Sequence, residues 1–236
     1  MYILLKENTI DLSVVIPTLN EADNLKVLLP TIKKSLESIG MQWEILVVDG
    51  DSDDGADVVC SQVGARYICE VREGYGTAIL RGISEAKGAY ILTMDADLSH
   101  PAHIVKEIWA VRTQADIIIA SRYVEGGKAN QPWLRLQLSR ILNAFFGIGL
   151  SIDIRDMSSG FRLYRKEILG KIDLEFSNFV VLIEILLSTF ADGCTVREIP
   201  FHYHPRGAGA SKARVYQFGK DYLRLFNRIR KKRKSQ

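Results

Sequence analysis

The sequence predicts an α/β domain in which helices flank a mainly parallel central sheet on both faces. Two observations carry this. Short apolar runs of β-type residues alternate with stretches of helical periodicity, as βαβ units require. Three of those runs also end in turns rich in acidic or helix-capping residues, on the edge where such sheets bind ligands. The first run, residues 12–16, reads Leu-Ser-Val-Val-Ile and is ended by Pro17. Thr18-Leu-Asn-Glu21 fits a capping box before a helix to about residue 39. Residues 44–48 make the next strand, and an acidic turn over 49–55 leads to a short helix over 56–63. A strand over 65–70 precedes Gly74-Tyr-Gly76, which opens a helix to residue 87. Residues 90–94 form a strand, residues 101–113 a helix with Pro101 in its first turn, and 116–120 a further strand.

The second half is less regular. Residues 126–131 read as a loop, and 132–150 as a helix with a broad apolar surface. A polar loop over 155–165 leads to a strand or short helix, 178–190 is helical, and 195–203 is a strand. Residues 211–232 form a basic amphipathic helix with Val215, Phe218, Tyr222, Leu225, Phe226 and Ile229 on one side. No repeat or linker divides the chain, so residues 1–213 read as one domain and 214–236 as its C-terminal helix.

At 236 residues and 47% hydrophobic, the chain can bury one large core. Cys60, Cys69 and Cys194 have no close metal-ligand spacing and read as thiols in a reducing compartment, hence a cytoplasmic protein. No leader is visible in residues 1–8. The longest near-apolar stretches, 141–150 and 179–187, fall short of the roughly 18–20 residues that span a bilayer. From Arg206 onward, eleven Lys and Arg face Asp221 alone, a net +10 on an acidic body of −7. Such an end points to an anionic partner. Its charges cluster at one end of a helix with an apolar side, which suits the cytoplasmic face of a membrane, or a membrane-embedded partner, rather than nucleic acid. The apolar face of 132–150 reads either as core or as a helix lying among lipid headgroups.

The chemistry concentrates in Ile-Leu-Thr-Met-Asp95-Ala-Asp97-Leu-Ser-His-Pro101. Residues two apart on an extended chain point the same way, so Asp95 and Asp97 can face one pocket. Two carboxylates at a strand end suit Mg²⁺ or Mn²⁺ carrying a diphosphate. His100 and His103 read as further ligands or as packing at a helix start, and His202 and His204 share one strand face. Asp51, Asp53 and Asp54 read as solvated turn acids, and Gly74 and Gly76 as turn formers or as room for a phosphate.

Val14-Val-Ile-Pro-Thr-Leu-Asn-Glu21, Val47-Val-Asp49 with Ser52 and Asp54-Gly55, and Met94-Asp-Ala-Asp-Leu-Ser-His-Pro101 resemble inverting family 2 glycosyltransferases of the GT-A fold. Ser121-Arg-Tyr123, Arg135 with Ser139, Ser158-Ser-Gly-Phe-Arg162, and Arg206 with Gly209 and Ser211-Lys212 narrow this to the dolichyl-phosphate mannose synthase group of polyprenyl-phosphate glycosyltransferases. The resemblance implies a nucleotide-sugar site bordered by Pro17, Glu21, Asp49, Asp95 and Ala96. It implies a metal at Asp95, Asp97 and Ser99, with Asp97 the main ligand. Arg122, Arg135, Ser139, Arg206 and Lys212 would hold the donor's phosphates and the lipid phosphate, with Asp97, Arg122 and Arg135 as the catalytic set. Ser99 stands where the family often has Gln as a further metal ligand, and Leu19 and Gly50 stand where it often has Tyr and a second Asp, which leaves the base open. GDP-mannose with dolichyl phosphate is the leading pair, and a UDP-sugar such as UDP-glucose is the alternative donor. A lipid phosphate is already anionic and needs no general base. A sugar-hydroxyl acceptor would need a positioned carboxylate, for which Asp156 is nearest; otherwise Asp156 orders the 158–162 loop.

Overall fold

The computed structural model describes residues 9–71, 74–170, 172–204 and 218–234. Its strands are β1 (Leu12–Thr18), β2 (Trp43–Asp49), β3 (Arg66–Cys69), β4 (Tyr90–Thr93), β5 (Ile117–Ser121), β6 (Lys128–Ala129), β7 (Arg162–Arg165), β8 (Val196–Pro200) and β9 (His202–Tyr203). Seven of them form one sheet in the order β3-β2-β1-β4-β7-β5-β8. Every pairing in it is parallel except those of β7, which runs antiparallel between β4 and β5. A small parallel pair, β6 with β9, lies apart from it.

β1, β2 and β5 carry long apolar runs because both faces of the sheet are covered there. Val14 and Ile16 pack with the residues of α1 (Ala22–Glu37), α2 (Ala56–Val63) and α4 (Ile104–Ala110). Val15, between them, packs on the opposite face with Ala78 of α3 (Tyr75–Glu85). That approach is close: a Cβ on Gly82 would lie 2.2 Å from Val15 Cγ1. Pro17 extends β1 rather than ending it. The Val15 carbonyl accepts from Met94 on the β4 side and the Thr18 carbonyl from Gly50 on the β2 side. By alternation Pro17 faces the β4 side, where the ladder has already stopped at Thr93, so its missing N–H leaves no bond unmade.

The second half adds α5 (Trp133–Leu150), α6 (Lys166–Leu169), α7 (Val181–Ala191) and α8 (Gly219–Lys234). Phe146, Ile185, Leu186, Tyr222, Leu225 and Ile229 bring α5, α7 and α8 into one cluster against Ile117, Ile119 and Tyr164 of the sheet. The basic helix is therefore packed against the body, and the boundary expected at residue 213 falls outside the described residues. Several of its charges are used internally. Arg224 and Arg228 pair with Glu175, Arg228 also with the fully buried Glu184, and Lys232 with Asp192. Arg233 donates to the Leu150 carbonyl at the C-terminus of α5.

Two local expectations are corrected. The capping box does not form, because Thr18 belongs to β1 and its hydroxyl has no partner among the described residues. The first N–H of α1, on Ala22, donates instead to Asp54 Oδ2 at 2.8 Å, and Glu21 accepts from the Asn24 amide. The helix expected over 101–113 is α-helical only over Ile104–Ala110. Both flanks close with tighter bonds of i+3 type, from Ile104 to Pro101 and from Gln114 to Val111.

Candidate active site

The carboxyl ends of β1, β2, β4 and β5 form one rim, and the candidate residues gather along it. Asp95 and Asp97 do not reach it as alternate residues of a strand. β4 stops at Thr93, and the acids lie in a turn in which Leu98 takes φ +65°. Asp97 is buried, and its Oδ1 accepts both the N–H and the hydroxyl of Ser99. Ser99, also buried, thus holds Asp97. Asp95 is more open; its Oδ1 accepts from the Tyr75 hydroxyl at 2.9 Å. His100 sits beneath the turn, stacked on Phe161 with ring centroids 4.8 Å apart. The Asp95 N–H donates to His100 Nδ1 at 3.0 Å, which places the ring proton on Nε2, 3.8 Å from Asp95 Oδ2. Burial lowers the pKa of this imidazole against the opposing pull of Asp95 and Asp97. His100 therefore braces the acidic turn as a neutral ring.

On the β2 side, Asp49 is fully buried. It accepts from the Ser52 N–H and hydroxyl, both at 2.7 Å, and from the Tyr67 hydroxyl at 2.9 Å. It shapes the acidic turn next to Pro17 and Glu21. Asp54, expected as a solvated acid, caps α1 across that turn.

On the β5 side, Arg122 is held by Asp156. Nε and Nη2 donate to the two carboxylate oxygens at 2.8 and 2.7 Å, and the Arg122 N–H adds a third bond at 2.9 Å. Burial opposes both charges, yet the pairing wins: the carboxyl is held below its ordinary pKa and the guanidinium above. Ser158 bridges the pair to Ser139 at 2.7 Å, and Ser139 accepts from Tyr123 at 3.0 Å. Arg162, fully buried, donates to the carbonyls of Met157 and Leu182 and ties the 157–160 loop to α7.

Asp95, Arg122, Arg135, Ser139 and Ser158 converge on one cleft of about 400 Å³, whose remaining wall is largely apolar. Leu134, Leu138 and Leu142 of α5 face Leu182 and Ile183 of α7 across it. Arg206 and Lys212 lie outside the described residues. Asp97, Pro17, Glu21 and Asp49 do not line this cleft. Among the described residues no group of three or more His, Cys, Asp or Glu could by itself hold a metal ion. Asp95 and Asp97 are hard oxygen donors and fit a divalent cation that takes its other ligands from a diphosphate and water.

The residue that sequence reasoning passed over is Tyr75. The glycines around it serve chain contact: a Cβ on Gly76 would meet the Ser177 backbone at 2.3 Å. This closeness sets the Tyr75 ring on Phe179, centroids 4.4 Å apart, and aims its hydroxyl at Asp95. Tyr75→Phe removes one bond to a charged acceptor. The expected result is a loss of about tenfold in turnover with Tm nearly unchanged, checked by steady-state kinetics beside a thermal melt.

Fold and rim together define an α/β domain of the GT-A type. Residues 13–173 match the profile of Glycosyl transferase family 2. Over 231 residues the chain is 37% identical to a dolichol-phosphate mannosyltransferase of Pyrococcus furiosus, covering 93% of this chain and 63% of that protein. Over 214 residues it is 35% identical to a polyprenol monophosphomannose synthase of Mycolicibacterium smegmatis, covering 84% and 79%. A crystal structure of glucosyl-3-phosphoglycerate synthase from Mycobacterium tuberculosis, in complex with Mn²⁺, UDP and glucosyl-3-phosphoglycerate, shares the fold with TM-score 0.68 at 18% identity, over 94% of this chain and 79% of that one. The chain belongs to glycosyl transferase family 2. It spans less than two thirds of the length of the Pyrococcus relative.

Proposed function

We propose that this chain transfers mannose from GDP-mannose to a polyprenyl phosphate such as dolichyl phosphate, with inversion at the sugar and with Mg²⁺ or Mn²⁺ bound at Asp95 and Asp97. The observation that carries the acceptor is the cleft, where Arg122, Arg135, Ser139 and Ser158 head a pocket walled by Leu134, Leu138, Leu142 and Leu182. An anionic head on an apolar tail fits that division. The names of the two curated relatives, both polyprenyl-phosphate mannosyltransferases, support it. The Mn²⁺ and UDP of the glucosyl-3-phosphoglycerate synthase crystal support a metal-bound nucleotide on this fold.

A divalent ion would neutralise the leaving diphosphate as the glycosidic bond breaks. The chain's own residues do the rest. Pro17, Glu21, Asp49 and Ala96 border the nucleotide, while Arg122 and Arg135, joined by Arg206 and Lys212, draw the acceptor phosphate toward the sugar and offset charge on the leaving group. Asp156 is unsuited to be a base, because its oxygens already take three bonds from Arg122 and its acidity is raised by that pairing. That favours an acceptor that arrives already ionised over a sugar hydroxyl.

The same reading seats the protein peripherally on the cytoplasmic face of a membrane, directly or through a membrane-embedded partner. No helix among the described residues is long and apolar enough to cross a bilayer. Leu134, Ile141 and Ile148, seven residues apart on α5, are all exposed. The test supplies GDP-mannose and UDP-glucose separately, with each metal and dolichyl phosphate, and scores sugar in the lipid extract. Transfer of mannose alone is expected; transfer of glucose alone would replace the donor, and transfer of neither would overturn the reading.

A further inference from the structure

A second cleft, of about 500 Å³, lies on the other side of Arg122. Its walls come from the loop after β5, the outer side of α5 and the loop that follows α5, and include Arg122, Gly127, Arg140, Asn143, Ala144 and Arg155. Three arginines and no described carboxylate line it. Asp156 occupies Arg122, but Arg140 and Arg155 are exposed and neither forms an ion pair with any described residue. Of the acids near it in sequence, Glu198 takes the backbone N–H groups of Arg155 and Asp156, while Glu125 and Asp153 are exposed and outside the lining.

Asn143 ties the outer side of α5 to the loop that follows it: it is only 8% exposed, and its Oδ1 accepts the Met157 N–H at 3.1 Å. The guanidinium forks of Arg140 and Arg155, carried on those two segments, match the tetrahedral oxygens of a phosphate.

We propose that this second cleft binds a phosphate-bearing anion, separate from the donor and acceptor of the transfer reaction. Its chemistry is shared by a phospholipid headgroup and by a free phosphate. On the peripheral membrane seating proposed above, the cleft lies beside the lipid-facing side of α5: Arg140, Ala144 and Ile148 follow one another at helical spacing, and Ile148 is 82% exposed. A ligand here would add negative charge beside Arg122 without entering the main cleft.

The experiment uses the full chain, its Arg140→Gln/Arg155→Gln variant, and an Arg230→Gln/Lys234→Gln variant that removes the same charge from the exposed end of α8. Each is titrated with inorganic phosphate by calorimetry and sedimented with phosphatidylcholine vesicles containing or lacking phosphatidic acid. The wild type and the α8 variant should bind alike, and the cleft variant about tenfold more weakly. A difference seen only on phosphatidic acid vesicles identifies a lipid headgroup, and one seen with inorganic phosphate identifies a soluble ester. Binding of neither probe by the wild type, or equal weakening in both variants, would overturn the site.

Discussion

Asp156→Ala should lower stability by about 3–5 kcal/mol, a fall in Tm of roughly 10 °C, because it strands the Arg122 charge in a site that is 9% exposed. The pair is closed on itself: three donors of Arg122 meet two oxygens of one fully buried carboxylate. Removing the acid leaves a desolvated cation that keeps, among the described residues, Ser158 at 2.8 Å, a weak contact to Gln131 and the faces of the Tyr123 and Tyr203 rings. The sign with pH follows from the lowered pKa of Asp156. Its contribution is whole above the ordinary aspartate value of 3.8 and is lost as pH falls through the depressed folded value. The double change Arg122→Met/Asp156→Leu separates structure from chemistry. Well-packed apolar side chains should recover most of the stability, while transfer stays down by about a hundredfold or more, since the guanidinium is gone. If the double variant recovers turnover as well as Tm, Arg122 is a structural cation and not part of the reaction.

That pair also marks where the sequence stops being legible. Residues 122 and 156 are 34 positions apart, and no local pattern joins them; they meet because β7 turns back between β4 and β5 and carries the 156–161 loop to the rim. The alternation of strands and helices was readable because burial on both sheet faces forces continuous apolar runs at β1, β2 and β5. The antiparallel course of β7 was not, since direction leaves no mark on a four-residue strand. Capping failed for the same reason as pairing: the acceptor for α1 is Asp54, brought over by the neighbouring strand, whereas the local Thr18 is drawn into β1. The expectation for the acids at 95 and 97 joins a chemical premise, their type, to a geometric one, strand alternation, that the structure corrects. Their types suit a cation, but a turn rather than strand alternation sets their directions. The basic run of α8 was legible as charge and not as packing, because the carboxylates that absorb part of it lie on α7, in the loop before it and at its C-terminal cap.

Asp97→Asn is the sharpest test of the metal reading. Asp97→Ala should abolish measurable transfer, but it also leaves the buried Ser99 hydroxyl and N–H without their acceptor, at about 1–3 kcal/mol. Asparagine keeps an oxygen for Ser99 in the same place and replaces the other, with its charge, by an NH2. Its Tm should therefore stay close to that of the unaltered chain while turnover drops by about a hundredfold or more, the scale of losing one ligand to a cation that offsets a leaving diphosphate. Affinity for the nucleotide should lose its dependence on Mg²⁺ or Mn²⁺ in the same variant, measured by titration with and without metal. A metal-dependent Asp97→Asn protein with ordinary turnover would move the cation elsewhere on the rim. In that case Asp97, buried against Ser99, would be a fastener of the turn, and Asp95 would be left as the sole carboxylate of the pair open to the cleft.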